Sequence, residues 1–307
     1  MKYRKIKIII IILLLLVVLL SLYLYQQNLK KVKTEAPLFN ADGRLLVSTT
    51  LFPVYDFAKN IGGEKVDVNL ILPPGKEPHA FLPSEKETAI VEGRGLLFYT
   101  SDLMEPWLID FVTKLKTDLR VESVANNLND EKLDPHVWLD FTKAAFMVEK
   151  ISAVYQELDP QNKDYYVQRT VDYLAELSSL DKMYSDSLKD CEFKGFIATG
   201  HDTFSYLAKR YQLDYQAAQG FIPTEEVDVE RVLNLIDIIK DKKYPYIYYE
   251  ELLMPHTGEI IRQQTGVKML ALNAAHNVGR YDIESGISFL SIMRNNLTVL
   301  KLGLKCH

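Results

Sequence analysis

The stretch QNKDYYVQRTVDYLAELSSLDKMYSDSLK, residues 161–189, places Tyr165, Tyr166, Val167, Val171, Leu174, Leu177, Leu180, Met183, Tyr184 and Leu188 at mainly three- and four-residue spacing. That period predicts one long helix with a single buried face. At ~1.5 Å per residue such a helix spans roughly 40 Å, the length of a rigid strut between two bodies. A second helical stretch, about residues 140–158, precedes it across Asp159-Pro160.

On both sides of these helices, short β-branched or apolar runs alternate with amphipathic stretches, the signature of an α/β fold. The first half offers strands near 45–49 (LLVST), 66–72 (VDVNLIL), 95–99 (GLLFY) and 119–124 (LRVESV). The second half repeats the plan near 194–199 (KGFIAT), 213–218 (LDYQAA), 245–249 (PYIYY) and 267–272 (VKMLAL). Ser84 with Glu87 three residues later reads as a capping box that opens a helix. The expected fold is two similar lobes, 44–158 and 191–307, each a mainly parallel sheet flanked by helices. A linker helix, 159–190, joins them.

The N-terminus speaks to location. Four basic residues in the first seven precede an apolar run from Ile8 to Leu20, which Ser21 to Tyr25 extend toward the minimum needed to cross hydrocarbon. No small-x-small cleavage site follows, and no cysteine is present there for lipid attachment. Residues 1–25 are therefore expected to be a retained transmembrane anchor, residues 26–43 a polar tether, and the body extracytoplasmic. Residues 1–33 hold seven Lys/Arg and no acid, so removing them from the net charge of −5 leaves −12 on the body. Phosphate contacts need clustered cations, and a body this acidic excludes a nucleic-acid partner.

Four of the six histidines, His79, His136, His201 and His276, sit in loops that directly follow predicted strands. Ligands of open α/β sheets bind beyond the carboxyl ends of the strands, so two histidines from each lobe converge if the lobes face each other. One loop histidine carries little weight; four with the same placement carry more. His79 ends Pro73-Pro-Gly-Lys-Glu-Pro-His79, where three prolines are expected to hold the backbone extended. His136 follows Asp134-Pro135, and His201 follows its strand through Gly200. His256 and the terminal His307 do not share the pattern.

At these motifs the chain resembles the zinc/manganese-binding family of ABC-transporter solute-binding proteins, over residues ~45 to ~303. The stretches that carry the likeness are Thr49-Thr-Leu-Phe-Pro-Val-Tyr-Asp-Phe-Ala58, Pro73-Pro-Gly-Lys-Glu-Pro-His79, Glu105-Pro-Trp107, Asp134-Pro-His-Val-Trp-Leu139, Gly200-His-Asp-Thr-Phe204, Tyr249-Glu-Glu-Leu252 and Tyr281 through Asn296. The resemblance implies metal held in a cleft between two lobes and passed to an ABC permease. It makes His79, His136 and His201 the first three ligands, the third being Glu in some manganese-binding members. The family's fourth position, often Asp, falls near His276 and Asn277. His276 is preferred, with Asp282 and Glu284 as competitors. The chain lacks the long His-rich acidic loop that some zinc-binding members carry.

Imidazole nitrogen suits zinc, whereas manganese is better served by carboxylate oxygen, so an all-histidine set favours zinc with manganese or iron as the rival cargo. Four protein ligands close a tetrahedral shell and leave no position for an activated water, which argues against a hydrolase; no H-E-x-x-H motif is present. A surface adhesin built on the same scaffold is a third reading. Asp140, Asp202 and Glu250 are candidates to accept hydrogen bonds from ligand imidazoles, or else helix caps and surface charges. Trp107 and Trp138 read as core anchors. Cys191 and Cys306 flank the second lobe, and an oxidising location leaves open either a disulfide or two thiols.

Overall fold

The computed structural model describes residues 3, 13–23, 33–128, 134–221, 228–251, 256–276 and 278–307. In the first half, β1 (Leu45–Thr49), α1 (Phe52–Gly62), β2 (Val66–Leu70), α2 (Glu85–Glu92), β3 (Leu96–Tyr99), α3 (Leu108–Lys114) and β4 (Arg120–Ser123) follow one another. Next come α4 (Phe141–Leu158) and α5 (Lys163–Leu188). The second half runs β5 (Gly195–Ala198), α6 (Ser205–Arg210), β6 (Asp214–Ala217), α7 (Val229–Lys242), β7 (Tyr246–Glu250), α8 (His256–Thr265) and β8 (Lys268–Leu272). Two helices, α9 (Arg280–Glu284) and α10 (Phe289–Leu304), complete it.

The strand orders are β2-β1-β3-β4 and β8-β7-β5-β6, each pairing parallel. Counted within its own half, each sheet is ordered second, first, third, fourth. Parallel neighbours need crossover connections, which the helices supply while covering the sheet faces. That explains strands such as β3 and β5, in which all residues are buried. Between the first and third strands the chain's direction of winding reverses, and this is where the crevice for a ligand opens.

Local chemistry sets the helix ends. Ser84 and Glu87 form the expected capping box of α2, and Asp140 caps α4 by accepting the Thr142 N–H at 2.8 Å. The buried residues of α5 include Tyr166, Thr170, Tyr173, Leu177, Leu180, Tyr184 and Leu188. Its inward face is thus rotated from the apolar count: Val171 is 56% exposed and Met183 44%, while Thr170 and Tyr173 turn in. They can do so because their hydroxyls are bonded, Thr170 to Ser152 at 2.6 Å and Tyr173 to Asp56 at 3.1 Å. The helix also reaches α10, where the Tyr184 hydroxyl donates to Met293 O.

The stretch expected to be a tether is docked from Thr34 onward. Thr34–Glu35 pairs with Thr117–Asp118, and the Leu46 N–H donates to Leu38 O at 2.8 Å. Residues 13–23 are helical, with Leu13 to Leu20 each 51–62% exposed. Among the described residues no helix is long and apolar enough to cross a membrane. Residues 1–2, 4–12 and 24–25 of the expected anchor lie outside them. Cys191 and Cys306 are joined by a disulfide that ties β5's approach to the end of α10.

Candidate metal centre

Each of the four strand-end histidines is positioned by its own loop. After β2 the chain makes a turn, closed by the Lys76 N–H on Pro73 O at 3.2 Å, with Gly75 at φ 78°. The prolines therefore reverse the backbone instead of holding it extended, and glycine supplies the left-handed residue the turn requires. The Glu77 carboxylate then accepts the His79 and Ala80 N–H groups at 3.2 and 3.0 Å. Trp107 secures the same loop by donating its indole N–H to Pro78 O at 3.1 Å.

Past β4, Asp134 Oδ1 lies 2.9 Å from the His136 N–H and 2.8 Å from His136 Nδ1. A neutral His136 donating from Nδ1 leaves the lone pair of Nε2 facing the cleft. His201 follows β5 through Gly200, where a Cβ would stand 2.8 Å from Glu250 Oε1. Without a side chain there, Glu250 approaches to 2.6 Å from His201 Nδ1, though off the line of a hydrogen bond. His276 follows β8 in a loop where Asn273 and Asn296 exchange hydrogen bonds of 3.0 and 2.7 Å.

The imidazoles cluster. His136 Nε2 and His201 Nε2 are 3.3 Å apart, and ligand atoms of His79, His136 and His201 lie within 4.8 Å of one another. His201, Glu250 and His276 form a second such group, with the His276 ring centred 5.8 Å from His201 and 6.1 Å from His136. All four rings are buried, yet His79 Nε2 and His276 Nδ1 find no hydrogen-bond partner among the described residues. Buried polar atoms are normally satisfied, so orphaned imidazole nitrogens within two such groups are the kind of donor set that a bound cation satisfies.

Electrostatics agree. Burial, reinforced by His201, pushes His79 down to about 3. Burial and the neighbouring histidines hold His136 and His276 well below the usual imidazole value. These three are neutral at physiological pH, the form that coordinates metal.

The carboxylates singled out in the sequence separate into roles. Glu250 is in the cluster. Asp140 caps α4 and accepts from Arg210 of the second half at 3.0 Å, and Asp202 accepts from the Ser205 hydroxyl of its own loop at 2.6 Å. Asp282 caps α9 by accepting the Gly279 N–H at 3.1 Å and Glu284 is exposed; neither joins the imidazoles. Asn277 lies outside the described residues. His256 and His307 are exposed, away from the cluster. Sequence reasoning missed Asp134 as the partner of His136; its place two residues ahead of a histidine was the available signal.

Residues 47–303 match the family described as ZnuA, the periplasmic component A of a zinc-uptake complex. The chain belongs to this family. It is 31% identical over 281 residues to the high-affinity zinc uptake system protein ZnuA of Bacillus subtilis, covering 85% of this chain and 88% of that protein. It is also 31% identical to the zinc-binding lipoprotein AdcA of Streptococcus pneumoniae, but spans only 56% of that longer protein. Among solved structures, the Zn(II)-bound ZnuA-like domain of AdcA is similar with a TM-score of 0.74 at 31% identity, over 85% of this chain and 99% of that domain. The laminin-binding protein Lmb of Streptococcus agalactiae, described as an adhesin with metal-transporting activity, is similar at 0.78 and 29% identity, over 84% and 99%. The α/β architecture with parallel sheets is thus the one these ZnuA-family relatives share.

Proposed function

We propose that this chain is the extracytoplasmic zinc-capturing component of an ABC importer, with no enzymatic role. One observation carries the reading: four buried histidines from loops of two separate sheets cluster, and three of them, His79, His201 and His276, keep a ring nitrogen without a partner among the described residues. In it, residues 44–158 and 191–307 act as lobes and 159–190 as the linker. His79, His136, His201 and His276 bind one zinc ion, which Zn–N bonds of ~2.0–2.1 Å hold in a tetrahedral shell. Glu250 orients His201 and offsets the charge of the bound cation, and Asp134 does the same for His136. A shell closed by protein nitrogen leaves no site for an activated water. Release to a permease then requires the lobes to part or a competing ligand to enter. The exposed apolar helix at 13–23 and the basic residues before it support an N-terminal membrane anchor.

The test is metal analysis of the purified body, followed by calorimetry with zinc and manganese. One zinc per chain, bound more tightly than manganese, is expected; a preference for manganese overturns the cargo. Growth of a deletion strain under zinc limitation tests import, and normal growth there removes the transport role. The likeness to Lmb supports a second reading, adhesion, which binding to immobilised laminin tests. Partition of the intact protein with membranes tests the anchor, and a mature N-terminus beyond Tyr25 removes it.

A further inference from the structure

Trp138 is fully buried in a tight turn, Val137–Leu139, two residues after His136. Its indole N–H donates to Ala274 O at 2.8 Å, across the crevice and two residues before His276. The ring is centred 5.5 Å from the His136 imidazole and 6.4 Å from that of His276. The acceptor is itself held: Ala275 takes a left-handed φ of 60°, and its N–H donates to Asn273 Oδ1 at 2.8 Å. Asn273 is bonded in turn to Asn296 of α10.

Apart from the approach of His136 and His201, the other side-chain bonds that join the halves among the described residues sit elsewhere. Asp56 accepts the Phe289 N–H at 3.1 Å but is also bonded to Tyr173 of α5, so it ties the halves at the strut, where a hinge motion changes least. Arg210 bonds Asp140 at 3.0 Å and also Asp181 of α5, again at the strut. The Trp138 bond lies at the histidines themselves, and it exists only when the two halves meet.

We propose that Trp138 is a positioning residue, a latch whose hydrogen bond to Ala274 holds the lobes closed and so keeps His136 and His276 on the same ion. The inference rests on the zinc-capture reading. An interaction present only in the closed state biases the open–closed equilibrium by its own free energy, and it acts on escape of the ion more than on arrival. Losing one neutral bond while its buried carbonyl stays unsatisfied shifts such an equilibrium by roughly tenfold.

The experiment is stopped-flow zinc association and chelator-driven release on the full chain. It compares wild type, Trp138→Phe and a form carrying the isosteric sulfur analogue benzothienylalanine at 138, which lacks the N–H. Release about tenfold faster with association within about twofold is the expected result. Release at the wild-type rate from either folded form overturns the latch. Should both forms fail to fold, indole N–H exchange in the wild-type protein decides, with Trp107→Phe assigning the two resonances. Exchange of the Trp138 N–H at least tenfold slower with zinc supports the latch, and exchange indifferent to zinc overturns it. A wild type that takes up no zinc overturns the zinc reading, and the latch with it.

Discussion

The two halves share one strand order, and each places a buried glutamate at the reversal between its first and third strands. In the first half, Glu105 accepts the Thr50 hydroxyl and the Thr100 and Ser101 N–H groups at 3.1 and 3.0 Å, so its carboxylate is fully used. Burial pushes it up to about 7. In the second half, Glu250 lies against His201 and keeps Oε2 without a hydrogen-bond partner among the described residues. The same topology opens a crevice in both places. Nearby donors decide what it becomes: in the first half the protein's own groups fill it, and in the second a carboxylate and an imidazole lie side by side with polar atoms unpartnered among the described residues.

Removing the imidazole should have the largest effect. His201→Ala is expected to weaken zinc by well over 100-fold in chelator-competition titrations, beyond the 10- to 100-fold typical of groups that only orient a ligand. His256→Ala, at an exposed helix start, should match the parent. An equal loss in both variants would remove His201 from the site.

Exchanging the two glutamates tests the contrast directly. Glu250→Gln keeps an acceptor for His201 but loses the charge, and should cost 10- to 100-fold in zinc affinity. Glu105→Gln turns an amide toward a backbone donor, costing about 1–3 kcal/mol of stability in denaturant melts with little change in zinc affinity. If Glu105→Gln weakened zinc as much as Glu250→Gln, the two crevices would not differ as described.

Acid should act on the buried imidazoles and on the buried carboxyls in opposite senses. His79, His136 and His276 have folded values below the unfolded 6.5, so the unfolded chain binds more protons below that pH. Their contribution is complete above 6.5 and is lost as pH falls toward the folded values, at about 1.4 kcal/mol per pH unit for each group. Glu105, at about 7 against 4.5, and Asp56, at about 6 against 3.8, are raised, so acidification from neutral pH adds stability through them. The zinc-free protein should therefore lose stability below pH 6.5, more steeply in Glu105→Gln and less steeply in His79→Gln. Chemical denaturation across pH 4.5–7 measures both slopes.

The smallest effect is expected where the cluster has no contact. Asp282→Ala and Glu284→Ala should bind zinc within about twofold of the parent, Asp282→Ala losing only a helix cap worth about 1 kcal/mol. A large loss in either would place a carboxylate among the ligands and weaken the case for zinc over manganese.

The strands, the helices beside them and the long helix Lys163–Leu188 were legible because each depends on local periodicity, and each strand appears within a residue or two of its expected place. The four histidines were legible for the same reason, since a strand end is a local feature and parallel sheets bind ligands there. Which face of α5 turns inward was not legible. Thr170 and Tyr173 are buried because Ser152 of the preceding helix and Asp56, 117 positions away in sequence, satisfy their hydroxyls.

By itself the sequence determined the α/β class, the doubled plan, the acidic body and the candidate histidines, all consequences of residue type and spacing. Only the tertiary structure decided that Asp134 and Glu250, not Asp140 and Asp202, face the imidazoles. It also assigned Asp282 to a helix cap, docked residues from Thr34 onto the body, and set the Trp138 indole across the crevice. The physical reason is directional: a carboxylate or an indole N–H acts within about 3 Å along a fixed line. Partners such as Trp138 and Ala274, 136 positions apart, meet on such a line only once the chain has folded.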